Sequence, residues 1–231
     1  MLLLAVLAGC AVVPRAAVGP RGLLEVLGPA PGFTPQALSG DWIVEGYEGT
    51  QGSELAVIRL DGVPALRIVN GEDGFLVVRR TQAMLLATPY LSWSWNVEDH
   101  GDGYHPVRLI VGFHGGDPKS ASWGSQPFAW TGSALPPHDR ALVITWGASA
   151  LERGTLSGPT GERRSAPRYT ARGGRENTGS WWLETIDLSR LYARAWPGDD
   201  AGEATVVFIG LAAGGGRAPA VANFSGMVLS R

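Results

Sequence analysis

A tryptophan next to a carboxylate is the combination in this chain best suited to binding a ligand. Trp181 and Trp182 are adjacent in a segment that reads as a strand, so their side chains point to opposite faces. Trp182 shares its face with Glu184. A sugar ring can stack on an indole while its hydroxyls donate hydrogen bonds to a carboxylate. We therefore predict that Trp182 projects from the sheet and binds a ligand together with Glu184. The alternative is a Trp182 packed under a loop or under the following helix.

Three further polar residues occupy the polar faces of two strands that follow one another in the chain. These residues are Asn96, Arg108 and His114. If the two strands pair, the three side chains line one groove and can hydrogen-bond sugar hydroxyls or an acidic group. An ordinary solvated sheet face is the alternative. Trp93 and Trp95 share the opposite face of the first strand with aliphatic residues, which predicts that both indoles pack in the core.

The chain carries no recognisable catalytic, metal-binding or cofactor-binding motif. Its four histidines lack the spacing of a metal hydrolase, and the sequence has neither a nucleophile elbow nor a phosphate-binding loop. We therefore predict no catalytic residue, no metal and no cofactor. Two alternatives stay open. The acidic turn at 98–103 could wrap Ca²⁺, and a pair of carboxylates for glycoside hydrolysis could be assembled from Glu98, Glu184 or Asp187.

Cys10, the single cysteine, ends a short apolar run. The run is far shorter than the roughly 20 residues that span a bilayer, and small residues before a cysteine are what a signal peptidase needs at a lipidation site. The segment resembles the lipobox of bacterial lipoproteins. The resemblance implies that residues 1–9 are a signal peptide and that Cys10 becomes an acylated N-terminus held in the membrane. By the same analogy, Ala11 favours the outer membrane, with the domain facing the periplasm.

The segments that would position these residues are mostly strands. Proline and glycine recur through residues 10–38, which predicts a tether with a short docked piece at Leu23–Leu27. From residue 39 to residue 231, short apolar runs alternate with turn residues, as is typical of one β-rich domain. The predicted strands are 54–60, 64–70, 74–80, 90–97, 106–114, 140–146, 180–186, 204–211 and 221–229.

One short helix is predicted where Asp187 can cap apolar residues at helical spacing, and Pro197 helps to end it. Strands 140–146 and 204–211 are apolar on both faces and are therefore expected to be central. Many strands and one helix favour an all-β fold, a two-sheet sandwich of jelly-roll type.

The composition is that of a folded domain and excludes one class of binding partner. The 231-residue chain is 45% hydrophobic and 17% charged, with a net charge of −2 and a pI of about 6.1. Such a chain offers no extended basic surface for nucleic acid. Two long loops stand out. Loop 152–179 is rich in arginine and could lie on anionic headgroups or be merely solvated. Loop 115–139 carries three large aromatic side chains that either pack down or form a binding rim.

Several segments resemble, in order, the bacterial family known as domain of unknown function 3047. They are Leu91–Val97, Asp102–Phe113, Ala141–Gly147, Gly179–Trp182, Ile186–Trp196 and Ala204–Leu211. The likeness covers roughly residues 55–231 and implies secreted or lipidated envelope proteins with a β-sandwich similar to galactose-binding and carbohydrate-binding modules. It implies no established activity and no known catalytic residue. Members of that family commonly carry acidic residues after the late buried strand, where this chain has Ala212–Arg217.

These observations predict a lipid-anchored envelope protein whose sandwich binds a glycan or an envelope polymer without turnover. Because one fold serves many functions, two alternatives remain. One is an enzyme that cleaves a polysaccharide with surface carboxylates. The other is a scaffold lipoprotein that docks a partner protein through its aromatic loop.

Overall fold

Two β-sheets pack face to face in the computed structural model of this protein, which describes residues 13–28, 39–48, 51–116, 135–158, 165–216 and 218–231. Short apolar runs separated by turns leave each strand with one face to bury, and stacking two sheets buries both sets of faces. The jelly-roll-like, two-sheet sandwich predicted from the sequence is therefore confirmed.

The larger sheet has eight strands. Its strand order is β1, β6, β13, β8, β9, β11 and β10, and β3 also pairs with β6. The bounds are β1 Ala16–Ala17, β3 Trp42–Glu45, β6 Phe75–Met84, β8 Val107–His114, β9 Arg140–Gly147, β10 Leu156–Ser157, β11 Arg168–Gly173 and β13 Thr205–Ala213. Two pairings are parallel, β1 with β6 and β9 with β11, and the others are antiparallel.

The smaller sheet has six antiparallel strands in the order β12, β7, β14, β5 and β4, with β2 also paired to β14. The bounds are β2 Leu23–Leu27, β4 Glu54–Leu60, β5 Val63–Val69, β7 Tyr90–Val97, β12 Trp181–Asp187 and β14 Val221–Ser230. β14 changes partner along its length: Val221–Phe224 pair with β5 and Met227–Ser230 pair with β2.

The space between the sheets is filled by large aromatic and aliphatic side chains. Trp93 and Trp95 are fully buried, which confirms the prediction that they are core residues. The indole of Trp95 packs edge-on against Trp93, with ring centroids 5.6 Å apart, and against Trp146 of the opposite sheet at 5.3 Å. These edge-to-face contacts are the favoured geometry for aromatic pairs and join the two sheets.

The outer face of the eight-stranded sheet is also apolar and buried. It carries a second cluster made of Ile43, Leu76, Val78, Ile110, Val143, Val207, Phe208 and Ala212. Because of this second layer, every residue of β9 is buried, and β13 is buried after its first residue. The prediction that these two strands are central is confirmed, and this side of the sandwich is not an open sheet face.

The predicted helix is present as α1, Leu188–Ala195. Asp187 caps it by accepting a hydrogen bond from the backbone N–H of Arg190 at 3.0 Å, and Trp196 and Pro197 follow its end. Among the described residues, no helix is long and apolar enough to cross a bilayer.

A buried ion pair ties the start of β9 to the loop after the helix. The guanidinium of Arg140 donates two hydrogen bonds to Asp199, at 2.8 and 2.9 Å, and both side chains are 4% exposed. The Tyr192 hydroxyl donates to the same carboxylate at 2.8 Å. Burial and the neighbouring Asp199 carboxylate raise the pKa of Tyr192, so the phenol stays a donor to this carboxylate.

The N-terminal segment belongs to the sandwich. β1 pairs with β6 and β2 pairs with β14, while Leu24, Val26 and Leu27 are core residues. The docked piece predicted at Leu23–Leu27 is confirmed. The prediction that the rest of residues 10–38 is a tether is wrong for Ala16–Ala17, because β1 pairs with β6 in the eight-stranded sheet.

Candidate functional site

The outer face of the six-stranded sheet is lined by small hydroxyl side chains. Alternation places Ser92 and Ser94 of β7 on this face, because Trp93 and Trp95 point into the core. The register adds Thr185 opposite Ser92 and Ser225 opposite Ser94. We call Ser92, Ser94, Thr185 and Ser225 the serine face. Neighbouring strands lie about 4.8 Å apart, so these hydroxyls form a polar strip in which Thr185 is exposed, Ser92 and Ser94 are half-buried and Ser225 is buried.

Large apolar side chains flank this strip along the edge strand β12 and the start of β7. Leu183, opposite Ser94, is 71% exposed, and Tyr90 is 41% exposed. Trp181, two residues before Leu183, is partly buried. Within the described part of the chain, its indole Nε1 has no hydrogen-bond partner. A polar strip beside exposed apolar side chains can bind a ligand that has both hydrogen-bonding groups and apolar surface.

One end of the serine face is closed by two asparagines and an ion-pair group. Asn96 and Asn223 are buried, and the Asn223 amide donates to the backbone oxygen of Asn96 at 3.4 Å. Arg67, opposite Asn223 on β5, pairs with Glu98 at 2.8 Å and with Glu54 at 3.2 Å. Between this end and Tyr90, the strands β12, β7 and β14 place no ionisable side chain on the outer face.

Trp182 and Glu184 lie on the other side of β12 and point toward the interior. Glu184 is 4% exposed, accepts from Arg172 at 2.6 Å and from Arg153 at 3.1 Å, and so uses both carboxylate oxygens. Trp182 donates to the backbone oxygen of Asn177 at 2.8 Å, and the Arg172 guanidinium lies 3.8 Å from the centre of its ring. The prediction that Trp182 projects outward is wrong, and the outward tryptophan is Trp181.

Asn96, Arg108 and His114 do not line one groove. The strand of Asn96, β7, belongs to the six-stranded sheet, whereas β8, which carries Arg108 and His114, belongs to the other sheet. The condition for the predicted groove, that the two strands pair, is therefore not met. Burial lowers the pKa of Arg108, and the positive charge of the nearby Arg168 lowers it further. His114 is exposed and lies 3.2 Å from Asp139. Of the three residues, only Asn96 borders the serine face.

The carboxylates that could have served an enzyme or a calcium site have other partners. Glu98 pairs with Arg67, and Asp99 accepts from Arg175 at 2.6 Å and from the backbone of Gly101 at 3.1 Å. Asp187 caps α1, as described above. Within the described ranges, no group of three or more metal-ligating side chains comes together. These contacts hold the acidic turn and the helix in place.

In the described part of the arginine-rich segment 152–179, residues 152–158 and 165–179, the arginines contact protein groups. Arg153 and Arg172 flank Glu184, Arg175 pairs with Asp99, and Arg168 lies over the Tyr104 ring at 4.0 Å. Cys10 and most of the aromatic loop, residues 117–134, lie outside the described residues.

His105 is buried and makes stability depend on pH. Its Nδ1 accepts from the backbone N–H of Val107 at 3.0 Å, and the His100 ring lies edge-on at 4.6 Å. Burial, reinforced by His100, lowers the pKa of His105 from 6.5 to about 3. Between pH 6.5 and about pH 3, His105 binds a proton in the unfolded chain but not in the folded protein. The free energy of unfolding is therefore highest above pH 6.5 and falls as the pH drops through this range.

We expect acidification below pH 6.5 to remove about 1.4 kcal/mol of stability per pH unit through His105. His105→Asn keeps an acceptor for Val107 but cannot take up the proton. The difference in unfolding free energy between the two proteins, measured by urea titration from neutral pH to pH 4, should therefore shrink steadily toward acid. A difference that stays constant over this range would contradict the assignment.

Comparisons with known proteins identify neither a family nor a curated relative. No family model matches the chain, and no curated protein matches it. Among solved structures, it is similar to a family 11 carbohydrate-binding module from Clostridium thermocellum in complex with a β-1,3-1,4-mixed-linked tetrasaccharide. The identity is 9%, 92% of this chain and 97% of that chain are covered, and the TM-score is 0.42.

Endoglucanase 3 of Trichoderma harzianum, from family GH12, is similar at 9% identity, with 92% of each chain covered and a TM-score of 0.43. A family 12 xyloglucanase from Bacillus licheniformis is similar at 8% identity, with 95% of this chain and 97% of that chain covered and a TM-score of 0.37. At this level of similarity, these structures assign no function to this chain.

Proposed function

We propose that this protein is a lipid-anchored bacterial envelope protein that binds a neutral glycan on its serine face without cleaving it. The observation that carries the proposal is the uncharged strip of Ser92, Ser94, Ser225 and Thr185 beside the exposed Leu183 and the outward Trp181. The resemblance to the domain of unknown function 3047 family is consistent with this proposal and stays a prediction.

The two kinds of side chain suit the two kinds of surface on a sugar. The C–H face of a pyranose ring stacks on an indole or packs on leucine, which removes apolar surface from water. Its hydroxyls both donate and accept, as do those of serine and threonine. Ser92 and Thr185 already share a hydrogen bond, with their oxygens 2.8 Å apart, so each retains capacity for a further partner.

The charges around the face favour a neutral ligand over an acidic one. The ionisable side chains at its borders are Glu25, Glu54, Glu98 and Asp187, together with Arg67 opposite Asn223 and Arg231 beyond Ser230. Arg67 is already paired with two of these carboxylates. A polyanionic chain would therefore meet more negative than positive charge, which disfavours its association.

The anchor part of the proposal rests on Cys10 and the lipobox that precedes it. Acyl chains on Cys10 would hold the domain stably at a membrane, because each buried CH₂ contributes about 0.8 kcal/mol. Outer-membrane sorting, with the sandwich facing the periplasm, follows from Ala11 by analogy with other lipoproteins. Mass spectrometry of the protein recovered from bacterial membranes tests this part, since acylation adds the mass of the lipid to the peptide that starts at Cys10.

Removing the apolar flank of the serine face should weaken glycan binding. We expect Trp181→Ala to raise the Kd for the best-bound neutral oligosaccharide about 10-fold, in line with roughly 1.5 kcal/mol for an aromatic stacking contact. Leu183→Ala should raise it about fivefold through lost apolar burial. Titration calorimetry of mixed-linkage β-glucan, xyloglucan and β-1,4-galactan oligosaccharides measures both values, with polygalacturonate as the acidic member of the panel.

Leu151→Ala is the matched control, because Leu151 is 94% exposed and lies outside the serine face. Its Kd should equal that of the unaltered protein. Equal affinities for Leu183→Ala and Leu151→Ala, tighter binding of polygalacturonate than of every neutral glycan, or newly formed reducing ends in the mixture would each overturn the proposal.

A further inference from the structure

The two ends of the described chain lie side by side. Leu23 of β2 is opposite Ser230 of β14, and a turn over residues 18–22 joins β2 to β1. Gly22 has a positive φ of 71°, and a Cβ at this position would collide with the side chain of Arg231. The turn 18–22 and the C-terminal end of β14 therefore lie together at one end of the sandwich. We call this end, made of residues 13–22 and Arg231, the terminal edge.

Three exposed arginines stand on the terminal edge. They are Arg15, Arg21 and Arg231. Within the described part of the chain, none of them forms an ion pair, in contrast to Arg153, Arg172 and Arg175 of segment 152–179. Arg80 adds a fourth cation close by, since it donates to the backbone of Gly40, which is in reach of Pro14.

Acidic groups near the terminal edge are fewer than the arginines. Asp41 is paired with Arg79 at 2.7 Å, so its negative charge offsets the charge of Arg79 and not that of the arginines on the terminal edge. Glu25 remains on the acidic side. Against the four arginines, this one carboxylate leaves an excess of three positive charges. An exposed, unpaired cluster of this sign attracts an anionic surface and is screened by salt.

The covalent chain limits how far this edge can be from the lipid anchor. Six residue steps separate Cys10 from Ala16, the first residue of β1, and a fully extended chain of that length spans about 20 Å. The terminal edge is thus the part of the sandwich that acylation of Cys10 would hold nearest to the bilayer. Guanidinium groups bind phosphate through paired, charge-assisted hydrogen bonds.

We propose that the terminal edge, through Arg15, Arg21 and Arg231, docks on the phosphate headgroups of the membrane that holds the protein. This inference extends the anchor part of the proposed function and is independent of glycan binding. Docking would fix this end of the sandwich against the bilayer.

The test uses the chain from residue 10 onward with Cys10→Ser, so that no acyl chain contributes to binding. Co-sedimentation compares phosphatidylcholine vesicles with and without phosphatidylglycerol, at low and at high salt. We expect binding only to the anionic vesicles and release by salt. The triple variant Arg15→Gln, Arg21→Gln, Arg231→Gln should lower the partition coefficient about 100-fold, since each cation near such a surface contributes roughly fivefold.

The matched control removes three exposed arginines from other elements: Arg59→Gln, Arg175→Gln and Arg194→Gln. It changes net charge equally and should bind as the unaltered chain does. Equal loss in both triple variants, equal binding to neutral vesicles, or no binding to anionic vesicles would overturn the proposal. This test requires no lipid on Cys10, so its result does not depend on acylation. The mass of the membrane-extracted protein shows independently whether Cys10 is acylated.

Discussion

Replacing Asp199 by asparagine should lower the free energy of unfolding by about 4 kcal/mol, because it leaves a buried guanidinium without its counter-charge. Arg140 and Asp199 are each 4% exposed and share two hydrogen bonds, at 2.8 and 2.9 Å. The Tyr192 hydroxyl also loses its charged acceptor. Breaking such a pair from one side costs more than the pair itself contributes, since desolvation of Arg140 stays uncompensated.

Urea unfolding followed by tryptophan fluorescence measures this loss, because Trp196 lies beside Arg140, with the guanidinium 5.7 Å from its ring. Asp200→Asn is the matched control: Asp200 is exposed and accepts one local hydrogen bond from Gly202. It should cost less than about 0.5 kcal/mol. Replacing both partners, as in Arg140→Met with Asp199→Leu, should recover much of the loss. A loss below about 1 kcal/mol for Asp199→Asn would show that the pair is open to water.

Glu184→Gln is expected to cost about 3 kcal/mol of stability and to leave glycan affinity unchanged. The carboxylate is 4% exposed and lies between Arg172 and Arg153. Loss of its charge leaves the buried Arg172 unpaired, whereas Arg153, at 57% exposure, is solvated and contributes little. The affinity is unaffected because Glu184 points away from the serine face.

The two measurements together separate an interior role from a ligand-binding one. Urea titration gives the stability loss, and calorimetry well below the melting temperature gives the Kd. Glu176→Gln, at an exposed position of the same region, is the control for removal of a negative charge. An affinity that falls with Glu184→Gln while stability is preserved would place Glu184 in the binding site and contradict the interior geometry.

Local patterns in the sequence were enough to predict β4 to β9 and β12 to β14, but not β1, β3, β10 or β11. The strict alternation of β7 predicts buried Trp93 and Trp95 with polar Ser92 and Ser94 opposite, and the structure confirms both faces. The helix followed from Asp187 and the apolar spacing after it, since a capping side chain acts within one turn. Such features depend on neighbours a few residues apart.

The features that could not be predicted depend on pairing between strands that are far apart in the sequence. The segment between β7 and β8 crosses from one sheet to the other, so Asn96 and Arg108 face opposite sides of the molecule. Strand β11 lacks an apolar alternation and forms because it pairs in parallel with β9. For Trp181 and Trp182, alternation shows that one is outside, but only the packing of Arg172 against Trp182 shows which one.

The position of β14 has a consequence for how the chain reaches its final state. The last ten-residue strand lies inside the six-stranded sheet, paired with β7 on one side and with β5 and β2 on the other. That sheet therefore cannot assemble until the C-terminal residues are available, and its contacts span almost the whole length of the chain, which slows folding. During synthesis, the six-stranded sheet can therefore form only after residues 221–230 have left the ribosome.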